Sequence, residues 1–153
     1  MLEHEEYYST LLNDMQSHLT QHGYRRSGQS GLFYRYDPDR SVACAIELQR
    51  SAFNYPGCYS FTFNLVCIHL FNLAAPRPNK LSLPVIRAAL RSPLAERLGV
   101  LTRRGDYWWS ITDELSAVCP PAEYYQRFLH HDIEQGLCWL DSKAAKSIPK
   151  QTL

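Results

Sequence analysis

The chain has 153 residues, 45% hydrophobic and 20% charged, which is enough apolar material for one core and excludes disordered and fibrous classes. Its 16 basic and 15 acidic side chains leave a formal charge of +1, so no strong field marks a nucleic-acid or anionic-membrane binder. No stretch approaches the roughly 18 uninterrupted apolar residues of a membrane helix, and "MLEHEEYYS" is acidic where a signal peptide is basic and then apolar, so the expected location is the cytoplasm.

From Leu2 to His22, Tyr8, Leu11, Leu12, Met15 and Leu19 recur at three- and four-residue steps and Gly23 follows as a stop, which predicts an amphipathic helix. After "RRSGQSG", the segment "LFYRY" alternates, "DPDR" supplies a tight reversal, and "SVACAIELQR" forms a second antiparallel strand. In that strand Val42, Cys44, Ile46 and Leu48 point one way, and Ser41, Ala43, Ala45, Glu47 and Gln49 the other. Beyond "SAFNYPG", the run "CYSFTFNLVCIHLF" puts Phe61, Phe63, Leu65 and Cys67 on one face and Ser60, Thr62 and Asn64 on the opposite one.

"APRPNKLSLP" reads as a loop and "PVIRAALRS" as a short helix with Pro84 in its first turn. Ser92 and Pro93 predict an N-cap and first position for a further helical turn, "PLAERLG", ended by Gly99. "VLTRRGDYWWSIT" predicts a hairpin turning at "RRGD". Pro120 and Pro121 open a last helix with a core stripe of Tyr125, Phe128, Leu129, Ile133, Leu137 and Leu140. The expected organisation is one α+β domain over residues 1–141, with an antiparallel sheet of about five strands, helices packed on one face, and a flexible basic tail over residues 142–153.

The five cysteines, Cys44, Cys58, Cys67, Cys119 and Cys138, form no C-x-x-C pair and are expected as small buried hydrophobes. His18 and His22 are four apart, but no H-E-x-x-H pattern or third ligand accompanies them, and the neighbours His130, His131 and Asp132 fall on different sides of a helix. His69 is expected at the core edge, one ring nitrogen satisfied by backbone. No metal and no cofactor are expected, and no nucleophile elbow, phosphate-binding glycine loop or carboxylate pair is present.

What remains is the polar sheet face. Arg35, Glu47, Gln49, Thr62 and Asn64, with Trp108 and Ser110, are expected to line one surface bordered by Arg25, Arg26, Arg50, Arg103 and Arg104. Tyr, Trp and Arg beside polar groups suit a recognition surface, and a solvated sheet face covered by tryptophan is the plainer alternative.

"FYRYDPDRSVACAIELQRS" followed by "YSFTFNLVCI" resembles the domain of unknown function family 4304, a group of small bacterial proteins. The similarity runs through "GYRRSG" at the strand entry, Gln49, Arg50 and Ser51 at the end of one strand, Phe63, Asn64 and Leu65 in the next, and the later Trp108 and Trp109. Val66 and Cys67 depart from the family's N-L-G pattern. The resemblance implies no catalytic residues and directs attention to Gln49, Ser51 and Asn64. The resulting expectation is a non-enzymatic module that binds another protein, in the manner of an immunity-type inhibitor of a toxin or effector. The alternatives are a small enzyme or ligand-binding protein using Glu47, Gln49 and Asn64, and, more distantly, a nucleic-acid binder using the arginine pairs and tryptophans for phosphate contacts and stacking.

Overall fold

Two long alternating strands organise the molecule. The computed structural model describes residues 4–146. α1 (His4–Thr20) leads to β1 (Arg25–Arg26), β2 (Leu32–Tyr36), β3 (Val42–Arg50) and β4 (Cys58–His69). A 3₁₀ turn at Leu70–Asn72 precedes α2 (Leu83–Leu90), β5 (Glu96–Arg97), α3 (Leu98–Arg103) and β6 (Trp109–Thr112). α4 (Asp113–Val118), α5 (Pro121–Tyr124), a π-helical turn at Tyr125–Leu129 and α6 (His130–Ala145) complete the chain. The expected helix start at Leu2 and most of the expected tail, residues 147–153, lie outside the described residues, whereas residues 142–145 continue α6.

The fold is α+β, with a six-stranded antiparallel sheet in the order β1-β2-β3-β4-β5 and β6 also paired to β4. β3 and β4 share nine residue pairs from Val42↔His69 to Arg50↔Phe61. β5 joins the middle of β4 through Asn64↔Arg97, and β6 joins its start through Cys58↔Thr112 to Phe61↔Trp109.

Directly opposed residues in an antiparallel ladder share a face. Cys44, Ile46, Phe61, Phe63 and Leu65 therefore meet Tyr8, Leu11, Met15, Ile133, Leu137 and Leu140 from α1 and α6 in the main core. On the other face Leu32, Ala43, Ala45, Val66 and Ile68 meet Leu81, Ile86, Ala89 and Leu90. α2 thus covers half of the face opposite the main helical layer, because the small side chains of Ala43 and Ala45 let it approach the sheet. The rest of that face carries the polar residues.

Trp109 packs against Phe61 and Phe63, with ring centroids 6.4 and 5.4 Å apart. Truncating such fully buried rings typically costs about 3–5 kcal/mol. The solvated pairs Arg35–Asp141 and Arg50–Glu5 are of a class worth about 0–1 kcal/mol, so aromatic packing decides the fold and the ion pairs trim its rim. Of the cysteines, Cys44 and Cys119 are buried, Cys58 and Cys67 half-buried, and Cys138 is exposed, so the expectation of burial fails at Cys138.

Two expected elements take other forms. Ser92–Ala95 is a turn in which the Ser92 hydroxyl accepts from the Leu94 amide and the Ser92 carbonyl from the Ala95 amide; the chain then enters β5. "VLTR" belongs to α3 and makes no hairpin: Leu98 is buried in the main core and Leu101 packs against it, a one-turn spacing that tertiary burial favours over alternation. Arg104 closes α3 in the left-handed region at φ 61°, and β6 pairs with β4 instead.

Gly99 sits inside α3, where an added Cβ would lie 2.7 Å from the Tyr107 amide nitrogen and 2.8 Å from the Gly105 carbonyl oxygen. At Gly136 in α6 the added carbon would instead meet the side-chain ends of Leu98 and Leu65, at 2.8 and 2.9 Å. Backbone cannot yield as leucine methyls can. Gly99→Ala is therefore expected to cost about 1–3 kcal/mol in urea denaturation, and Gly136→Ala clearly less, since alanine also favours the helix.

Candidate functional site

The uncovered half of the α2 face forms a groove of about 620 Å³. Glu47, Gln49 and Asn64 form its floor, because Glu47↔Asn64 and Gln49↔Thr62 are opposed pairs on that face. The Asn64 amide nitrogen donates to Gln49 Oε1 at 2.7 Å, fixing both side chains across the two strands. One wall comes from the end of α2 and the following turn, Leu90, Arg91, Ser92 and Ala95. The other is Glu96 and Arg97, with Arg97 opposite Asn64 in the ladder.

Arg97 is held in place twice. Its guanidinium lies 5.0 Å from the Trp108 ring centroid and its Nη1 donates to Asp106 Oδ1 at 3.3 Å. Trp108 Nε1 donates to the other Asp106 oxygen at 3.3 Å. Thr62 ties this wall to the sheet: it is fully buried, and its hydroxyl donates to the Tyr107 carbonyl at 2.9 Å. Ser60 and Ser110 extend the polar face beyond Thr62, their hydroxyls 2.8 Å apart.

The expected surface is therefore assembled in part. Glu47, Gln49, Asn64, Trp108 and Ser110 share one face, as their alternation indicates. Thr62 shares it too, but works beneath the surface as a structural hydrogen-bond donor. Arg35 does not belong there: it opposes Cys44 on the α6 side, where it pairs with Asp141 and lies 5.3 Å from the Tyr24 ring. Arg50 opposes Phe61 and turns to α1, donating to Glu5 at 2.7 Å above the Tyr8 ring. Arg103 donates to Asp132 on α6 at 2.8 Å and covers Tyr107 and Trp109.

Arg26 bonds the Asn13 and Gln16 side chains of α1, and Arg25 and Arg104 are solvated. Ser51 shapes the β3–β4 loop, its hydroxyl accepting from the Phe53 amide at 3.0 Å. That loop exposes Phe53 and Tyr55, at 89% and 62%, and Leu94, in the turn between the groove-lining Ser92 and Ala95, is 54% exposed. Arg91, Glu96 and these apolar side chains are residues that sequence patterning missed. The position of Arg91, Leu94 and Glu96 depends on how α2 and β5 pack, and that of Phe53 and Tyr55 on the β3–β4 loop, neither of which periodicity reports.

A second cluster lies between α1 and α6. His18, His130 and Glu134 each place one ligand-type atom within 4.8 Å of the others. His18 is buried; its Nδ1 is 2.6 Å from the Tyr125 hydroxyl and its Nε2 2.5 Å from Glu134 Oε1. Burial holds the His18 imidazole below its usual range despite that carboxylate, while the His18 hydrogen bond, then His22, holds the Glu134 carboxyl below its own. His69 meets its expectation, with Nε2 3.0 Å from the Lys143 carbonyl.

No protein-family model, curated protein or solved structure matches the chain. Among the described residues no helix is long and apolar enough to cross a membrane.

The groove's floor and its scaffold separate by mutation. Thr62→Val strands the Tyr107 carbonyl and is expected to cost about 1–3 kcal/mol with a shift in tryptophan fluorescence as the Trp108 wall loosens. Gln49→Ala and Asn64→Ala, at the solvated surface, are expected to change stability by about 0.5 kcal/mol or less. Thermal and urea unfolding check both.

Proposed function

We propose that the protein is a non-enzymatic binding module, an immunity-type inhibitor that neutralises a toxin or effector protein by seating one of its segments in the groove. The observation that carries this reading is the arrangement of exposed apolar side chains about a polar floor. Leu94 is exposed in the turn between Ser92 and Ala95, both of which line the groove, and the loop continuing from Gln49 presents Phe53 and Tyr55 to solvent. Exposed aromatic anchors beside fixed amide and charged groups are the composition of a protein-recognition surface.

Charge points the same way. The groove is lined by two acidic residues, Glu47 and Glu96, and two basic ones, Arg91 and Arg97, so it offers no positive track for phosphates. The balanced lining matches a partner segment of mixed charge, with the paired amides of Gln49 and Asn64 reading its backbone or polar side chains. The resemblance to a family of small bacterial proteins supports a bacterial setting.

A second reading has one observation in its favour. The groove volume falls in the range of about 300–1,000 Å³ typical of ligand sites, with Glu47 available as a base. Such sites are lined mainly by apolar groups, however, and here only Leu48, Leu90 and Ala95 are apolar.

The test is capture of the partner from the source cells, followed by calorimetric titration of the purified pair. Phe53→Ala and the double variant Gln49→Ala/Asn64→Ala are each expected to weaken binding by about 2 kcal/mol, roughly thirtyfold, while Arg35→Ala on the opposite face leaves it within about twofold. Equal affinity across all these variants contradicts the groove assignment. A small molecule co-purifying in place of a protein, and lost in the double variant, decides for the second reading.

A further inference from the structure

The polar cluster between α1 and α6 has a composition that simple helix bridging does not need. Two side-chain pairs with helical four-residue spacing face each other: His18 and His22 from α1 and the turn after it, and His130 and Glu134 from α6. Both imidazoles of the first pair converge on one oxygen of the second. His18 Nε2 lies 2.5 Å and His22 Nε2 2.9 Å from Glu134 Oε1. The His130 ring stacks on His18 with centroids 4.2 Å apart and planes 10° from parallel.

We propose that His18, His130 and Glu134, with His22 as a further donor, bind a divalent transition-metal ion of the zinc type. Imidazole nitrogen with one carboxylate oxygen is the donor set such ions prefer. Ligand atoms bonded at about 2.0–2.2 Å to a common tetrahedral ion sit roughly 3–4 Å apart, against the 4.8 Å within which the atoms of His18, His130 and Glu134 already lie. Closing that gap requires rotation of His130 out of its stack and a small opening at Glu134. Both side chains are only half-buried. His18 is the fixed point.

The surroundings are built as an outer shell would be. The buried Tyr125 hydroxyl lies 2.6 Å from His18 Nδ1; with an ion bound in place of the Nε2 proton, Nδ1–H donates to that hydroxyl and Nε2 is the ligating atom. Tyr125 opens the π-helical turn Tyr125–Leu129, and His130 follows directly after it. Such turns cluster at functional sites because they re-aim the residues beside them. Here the turn brings His130 back beside Tyr125, with ring centroids 6.2 Å apart.

Asp14, one helical turn before His18, adds a further observation. Its Oδ2 is buried without a hydrogen-bond partner among the described residues. Asp14, His18, Tyr125 and His130 line a common cleft of about 230 Å³ that opens to solvent and gives an ion its entry path. The site lies on the α1 and α6 layer, behind the sheet from the groove, and is independent of the binding reading above.

Exposed Cys138 is one turn beyond Glu134, so the test is made in the Cys138→Ser background. The metal-free chain is titrated with Co²⁺ and then Zn²⁺, following visible absorption, heat and thermal unfolding. One equivalent is expected to bind, with the intense d–d bands of four- or five-coordinate Co²⁺, displacement by Zn²⁺, and a melting temperature that rises with metal concentration. Glu134→Gln and His130→Gln, both on the partly solvated side, are expected to weaken binding at least tenfold with the far-ultraviolet dichroism unchanged. Tyr125→Phe is expected to weaken it about tenfold while the bands persist. The weak spectrum of hydrated Co²⁺ throughout the titration, or affinity unaltered in Glu134→Gln and His130→Gln, overturns the proposal and leaves a hydrogen-bonded bridge between two helices.

Discussion

Everything in this molecule depends on the register between β3 and β4. Nine consecutive pairs fix which residues of each strand share a face, and a slip of one position would send every core side chain to the other side. In the observed register Ile46, Leu48, Phe61, Phe63 and Leu65 serve one core, and Ala43, Ala45, Val66 and Ile68 a smaller one. Glu47, Gln49, Thr62 and Asn64 then fall together where the smaller core ends. The groove floor is a direct consequence of the pairing that closes the core. The same register also sends Arg35 and Arg50 to the opposite side, since they oppose Cys44 and Phe61.

That division separates structural from available polar groups. Thr62 is wholly buried and spends its hydroxyl on the Tyr107 carbonyl, which anchors the segment carrying Asp106 and Trp108. Arg97 is positioned by that segment, stacked on Trp108 and bonded to Asp106. Gln49 and Asn64 spend one hydrogen bond on each other, and an amide side chain has capacity for more. A binding surface made of residues already fixed by the fold loses little side-chain freedom when a partner arrives.

The strands, the first and last helices and the polar identity of the sheet face were legible from alternation and from three- and four-residue spacing, because these periods act over long, strongly patterned stretches. Residues 92–108 depart from their local pattern for a physical reason. The pattern ends a helical turn at Gly99 and starts a strand at Val100, whereas the burial of Leu98 and Leu101 one turn apart against the main core, absent from any local pattern, joins them in α3. Arg35 faces α6 and not the groove because the face of β2 relative to β3 follows from turn length, here Asp37 to Ser41, more than from composition. The histidine cluster was invisible for a related reason: Glu134 is 116 positions from His18, and only the docking of α6 on α1 joins them.

The central claim is that the unfilled half of the α2 face is the working surface. Amide hydrogen exchange of the protein free and in complex with its captured partner tests it most directly, since the β3–β4 loop at residues 51–57 and the turn at residues 91–95 lie outside the regular strands and helices and are expected to open more readily than those elements when free. Slowed exchange at both segments, with α1 and α6 unchanged, is the predicted result. Slowed exchange confined to the outer faces of α1 and α6, with both segments unaffected, would contradict it.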